Sequence, residues 1–157
     1  MTPPYHRRRM PGLVIIAHAP LASSLKSVAE HAFPDCASRL VAFDVPPDMP
    51  AEEVEAHGRR ILDALPGRAA IIFTDVFGAT PCNVAQRLAD GVHVKVVTGV
   101  NVPMLWRSLC YAGDTLDAGV ARAVAGATQG VMQVATTRPQ AQPARTRQHA
   151  PGDDQDQ

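Results

Sequence analysis

Residues 13–17, Leu-Val-Ile-Ile-Ala, form an unbroken apolar run that stops on His18, with Pro20 two residues later. A short run of this kind, rich in β-branched residues and closed by a turn signal, marks a strand buried on both faces. Further along, Ala69 to Thr74 repeats the pattern and stops on Asp75, followed by Pro81. Strands covered on both faces need helices on both sides, supplied by the chain between them. These two runs therefore commit the chain to an α/β fold with parallel strands.

The rest of the sequence alternates accordingly. Pro20 opens a helix carrying Leu21, Leu25, Val28, Ala29 and Ala32 at helical spacing, and Pro34-Asp35 ends it. Arg39–Asp44 reads as a second strand, closed by Val45-Pro46-Pro47-Asp48. Pro50 starts a helix whose acidic first turn, Glu52-Glu53, suits the positive end of the dipole, with Val54, Ile61, Leu62 and Leu65 on its buried face. After Asp75 a tight connection leads to Thr80 as N-cap and Pro81 as first helical residue, and the helix continues through Val84, Ala85 and Leu88. Val92–Val97 is the fourth strand, and Gly99–Pro103 leads into a helix with Met104, Leu105 and Leu109. Gly113-Asp114-Thr115 caps a last helix with Leu116, Val120, Val124 and Ala127. Gly130 ends that helix, and Val131–Ala135 suits one more short strand. The fold expected is a three-layer sandwich around a mostly parallel, doubly wound sheet of strand order 2-1-3-4.

Composition closes several functional classes. The chain has 157 residues, with 15 Lys+Arg against 15 Asp+Glu, so no bulk charge recommends nucleic acid or a membrane surface. Aromatics are 4%, too few for a base-stacking platform. Cys36, Cys82 and Cys110 have no CxxC spacing, which argues against a zinc site or a disulfide framework and for a reducing cytoplasm. No apolar stretch reaches the roughly 18 residues of a membrane helix. His6-Arg7-Arg8-Arg9 before an apolar run, with Ala17-His18-Ala19 after it, imitates a signal peptide, but the apolar part is too short. Residues 1–11 are expected to be a disordered leader, with Met10 an alternative start, and residues 12–136 the folded domain. Residues 137–157 hold no Val, Ile, Leu, Met or aromatic side chain and are expected to be a disordered tail.

In the order 2-1-3-4 the chain reverses direction between strands 1 and 3, and ligands of open α/β sheets sit at that point, beyond the carboxyl ends. His18 and Asp75 leave those two strand ends. A carboxylate accepting the imidazole Nδ1–H would present Nε2 with its lone pair outward, as a nucleophile or base. Helices beginning after Pro20, Pro81 and Pro103 would offer unpaired N–H groups to an anion. Neither a lysine-bearing phosphate loop nor G-x-G-x-x-G is present, so a phosphoryl group carried on His18 itself fits better than a nucleotide. A strand-end histidine can also be merely structural, and Asp75 merely a turn cap. His31, His57 and His93 read as solvated. Cys82, in the first turn of a helix, is either an activated thiol served by His18 or a small core residue.

Three segments together resemble the IIA domain of the mannose class of the bacterial phosphoenolpyruvate-dependent sugar phosphotransferase system. They are Ile15–Ala19, Thr74–Asn83 and Thr98–Leu105, within a resemblance spanning residues 12–135. It implies a phosphotransferase with a covalent phosphohistidine: His18 accepts phosphate from the phosphocarrier HPr and passes it to a histidine of a IIB protein, while Asp75 orients the imidazole. It further implies a homodimer exchanging its last strand, here Val131–Ala135 as a fifth, antiparallel strand, and association with a IIC/IID transporter rather than membrane insertion. On this reading backbone groups of Ala19, Phe77, Gly78, Ala79 and Thr80 hold the phosphoryl oxygens. Pro20, Asn101, Val102 and Pro103 meet the partner, and no cofactor or metal is called for. The chain departs from the family at Ala17, where a hydroxyl residue is usual, at Ala19-Pro20, where glycine commonly follows the histidine, and at Thr80, in place of serine. Two other readings share the chemistry on His18: a regulatory binding module read by its phosphorylation state, and the phosphoryl-donor subunit of a dihydroxyacetone kinase. A histidine phosphatase is disfavoured because no R-H-G surrounds His18.

Overall fold

The computed structural model describes residues 10–110 and 115–136. The expected tail, all but the last two residues of the expected leader, and Gly113-Asp114 lie outside them. The chain runs β1 (Gly12–His18), α1 (Leu21–Ala32), α2 (Pro34–Ala37), β2 (Leu40–Val45), α3 (Ala51–Ala64), β3 (Ala70–Thr74), α4 (Thr80–Leu88), β4 (Val94–Thr98), α5 (Val102–Leu109) and α6 (Leu116–Gln129). The strands form one all-parallel sheet in the order β2-β1-β3-β4, as expected. Leu13 pairs with Leu40 on one side and Ile71 on the other, and Ile16 with Phe43 and Thr74.

Side-chain alternation along β1 and β3 divides the core in two. Leu13, Ile15, Ile71 and Phe73 face α1, α5 and α6, packing with Leu25, Ala29, Met104, Leu105, Leu109 and Ala123. Val14, Ile16 and Ile72 face α3 and α4, packing with Val54, Val84, Ala85 and Leu88. Both faces of the central strands are thus dry, which is why their sequences are continuously apolar rather than alternating. Among the described residues no helix is long and apolar enough to cross a membrane.

Four local expectations are corrected. The buried stripe of α1 is Ala22, Leu25 and Ala29, whereas Leu21, Val28 and Ala32 are exposed. Pro34-Asp35 does not simply end α1 but opens the one-turn α2, for proline and an acid are good first-turn residues. β4 starts at Val94 rather than Val92, because Asp90 Oδ1 accepts the N–H groups of Val92 (2.9 Å), His93 (2.6 Å) and Val94 (2.9 Å) and holds that segment as a turn. Those three bonds set the Asp90 carboxyl well below its ordinary range. Finally, residues 131–136 join no helix or strand of the single chain and are exposed.

Phe73 is fully buried at the middle of the sheet. Phe73→Ala should lower unfolding free energy by about 3–5 kcal/mol, measured by urea denaturation, because the site cannot collapse between two strands and three helices.

Candidate functional site

The two strand ends singled out by sequence converge. His18 Nδ1 lies 2.6 Å from Asp75 Oδ2, and the backbone N–H of His18 donates to the same oxygen at 2.9 Å. The other carboxylate oxygen, Oδ1, accepts the N–H of Val76 at 2.9 Å. Burial raises the Asp75 carboxyl, but the His18 backbone N–H, its ring and the Val76 N–H together outweigh that, and the net shift is downward. Asp75 is therefore ionised at neutral pH and can only accept, so the shared proton sits on Nδ1. In the neutral imidazole Nε2 then carries the lone pair. The carboxylate is largely covered, at 12% exposed, while the ring is open at 50%.

The loop after Asp75 turns through Gly78, whose φ of +86° favours glycine. Asn83 Nδ2, one turn into α4, donates to the Gly78 carbonyl at 3.1 Å and braces the loop. Thr80 is not the N-cap: Ala79 takes that position and Thr80 is already helical, with no side-chain cap at all. The N–H groups of Phe77, Gly78, Ala79 and Thr80 find no acceptor among the described residues. They stand with the positive end of α4, an arrangement suited to a bound oxyanion.

The other side of His18 is built differently from expectation. Ala19 N–H is already spent on the Val45 carbonyl at 3.0 Å, which prolongs the β1–β2 ladder, and Pro20 has no N–H. In α1 the Ser23 N–H is taken by Asp44 Oδ1 at 3.0 Å. The Ala19 and Ser23 N–H groups are thus committed, those of Leu21 and Ala22 find no acceptor among the described residues, and the longest run of free donors is the loop from Phe77 to Thr80. Asp44 was missed as a contributor. It is the penultimate residue of β2, in register with Ala17, so looking for a polar residue near each strand end would have found it.

Asn101, Val102 and Pro103, expected to meet a partner, are half-buried and have structural contacts of their own. Asn101 Oδ1 caps α5 by accepting the Met104 N–H at 2.9 Å, and its Nδ2 reaches the Ala127 carbonyl of α6 at 3.3 Å. Val102 packs on the core, and Pro103 abuts Gly130 at the end of α6. These residues moor α6. The apolar surface near His18 is instead Leu21, Val76 and Phe77, the last 75% exposed. Cys82 is buried at 1% exposure and is a small core residue, not an activated thiol. Of the other histidines, His31 and His93 are exposed as expected, and His57 is half-buried, stacking on Phe43 with ring centroids 4.1 Å apart.

A group whose carboxyl is depressed in the folded state adds stability above its unfolded pKa, and loses it as pH falls through the lower folded value. For Asp75 that window opens below about 3.8. Asp75→Asn should therefore lower stability at neutral pH and flatten the acid limb below about pH 4, read from urea midpoints at a series of pH values.

A family model described as PTS system fructose IIA component, EIIA-man, matches residues 12–124. Solved structures agree on the fold. The mannose/sorbose-specific IIA subunit of the phosphotransferase system from Enterococcus faecalis superposes with a TM-score of 0.74 at 20% identity, covering 83% of this chain and 98% of that one. The phosphotransferase component EIIA from Streptococcus agalactiae gives 0.71 at 21% identity, covering 79% and 97%. A sigma-54 interaction domain protein from Enterococcus faecalis gives 0.65 at 16% identity, covering 77% and 93%. No curated protein matches the sequence.

Proposed function

The chain belongs to the EIIA-man family, the mannose- and fructose-class IIA components of the phosphoenolpyruvate-dependent phosphotransferase system, and we propose that it is a phosphohistidine carrier. His18 accepts a phosphoryl group from phospho-HPr and passes it to a histidine of a IIB protein in carbohydrate uptake. One observation carries the reading: the ionised Asp75 holds Nδ1 at 2.6 Å while the half-exposed ring leaves Nε2 open.

The Nε2 lone pair forms the new N–P bond as the bond from phosphorus to the donor breaks, in line with it. The imidazole keeps its Nδ1 proton and becomes cationic, and Asp75, already in place, stabilises that charge without reorganising. The free N–H groups from Phe77 to Thr80 hold phosphoryl oxygens. Transfer onward reverses these steps with the IIB histidine as nucleophile. Positioning and electrostatics supply the catalysis, as is usual for phosphoryl transfer. An open ring bordered by Leu21, Val76 and Phe77 suits a macromolecular donor, which brings its own walls to the site, and a cytoplasmic location accords with such partners.

Incubation with phosphoenolpyruvate, enzyme I and HPr should add one acid-labile phosphate to the wild type and none to His18→Ala. Asp75→Asn should slow labelling by on the order of 100-fold or more. Label that persists in His18→Ala would exclude this site. Transfer of the label to a IIB protein assigns the chain to uptake. Label that instead only changes which proteins the chain captures would assign the regulatory role.

A homodimer completes the proposal. β4 is an edge strand with no neighbour on its outer side among the described residues, and an open parallel edge invites another strand. Val131, Met132 and Val134 are exposed in a segment that forms no helix or strand among the described residues, so exchange of this segment would cover both. Light scattering should give a dimer mass for the wild type and a monomer for the triple variant Val131→Asp, Met132→Asp, Val134→Asp. A wild-type monomer at micromolar concentration would overturn the dimer.

A further inference from the structure

Far from His18, two thiols meet. Cys36 belongs to the short α2, Cys110 is the C-cap of α5, and their Sγ atoms are 2.7 Å apart although 74 positions separate them in sequence. Connectivity puts the pair at the opposite edge of the sheet from the phosphotransfer site. α1 and α5 both start at the carboxyl edge and run back, and β2, which follows α2, begins where β1 begins.

The surroundings fix this meeting. Phe33 and Trp106 pack edge to face, centroids 5.8 Å apart, a turn before each cysteine. The Arg39 guanidinium donates to the Leu109 carbonyl, tying the end of α5 to the start of β2. Both sulfurs stand at the ends of short elements, where a small shift reaches bonding distance, about 2.05 Å. Cys110 is exposed and Cys36 partly so, whereas Cys82 is buried. Donation to Cys36, then burial and the neighbouring Cys36 sulfur, raise the Cys110 thiol, and the nearby Arg39 cation offsets this only in part.

We propose that Cys36 and Cys110 form a reversible intramolecular disulfide, a thiol-oxidation site separate from His18. The co-reactant is a low-molecular-weight disulfide such as oxidised glutathione. The exposed Cys110 thiolate attacks one of its sulfurs, releasing one glutathione thiolate and leaving a mixed disulfide. Cys36 then attacks Cys110 Sγ, expelling the second glutathione. The protein loses two electrons and two protons, and the oxidant becomes two thiols.

The reduced full-length protein, treated with oxidised glutathione and mapped by mass spectrometry, should lose two hydrogens and link the Cys36 and Cys110 peptides, leaving Cys82 free. Closing so long a loop should raise Tm by roughly 10 °C, reversed by dithiothreitol. Cys82→Ser should oxidise like the wild type. Cys36→Ser should stop at glutathionylated Cys110, because the resolving thiol is gone. Labelling of His18 should be the same in both redox states, so failure here and failure of the carrier reading are distinguishable. No reaction, accumulation of the mixed disulfide in the wild type, a link to Cys82, or disulfides only between chains would each overturn the proposal.

Discussion

The contact between Asp75 Oδ2 and His18 joins the two central strands where their hydrogen-bonded ladder has stopped. β1 and β3 pair from Gly12–Ala70 to Ile16–Thr74, and past that point the carboxylate takes over, accepting from both the backbone and the ring of His18. The same group is held by Val76, which starts the turn into α4. A single ionised side chain thus closes the sheet, aims the imidazole and launches the loop whose N–H groups stay unpaired. Its depressed carboxyl is the electrostatic record of those three donors outweighing burial.

Much of this was legible in the sequence because the informative patterns are local and strong. Continuous apolar runs gave the buried strands, and proline after each strand end gave the helix starts. The order 2-1-3-4 then placed His18 beside Asp75 without any coordinates. What escaped was decided by contacts distant in sequence. That Ala19 N–H is spent on Val45, that Asp44 accepts from the first turn of α1, and that Asn101 reaches α6 all depend on which elements pack together. Helical spacing alone could not say that Leu21 and Val28 flank the buried stripe of α1 instead of joining it. Nor could cysteine spacing foresee that Cys36 and Cys110 meet, since the pairing depends on α1 and α5 lying on one face.

The site is asymmetric. On the β3 side the loop is braced, glycine-turned and rich in free donors; on the β2 side the Ala19 and Ser23 donors are taken by the Val45 carbonyl and the Asp44 carboxylate. An anion approaching His18 would be drawn toward α4 and away from β2. Apolar side chains at Leu21, Val76 and Phe77 border the same opening, so charge and contact surface lie together at one edge.

Strand pairing in this sheet also has a built-in check. Because neighbouring side chains point to opposite faces, sliding β3 by a single residue against β1 would bury Thr74 and Asp75 in each other's places and leave the imidazole with no anion beside it. Only the correctly aligned chain can assemble the pair, so pairing of the two central strands and assembly of the site are one event.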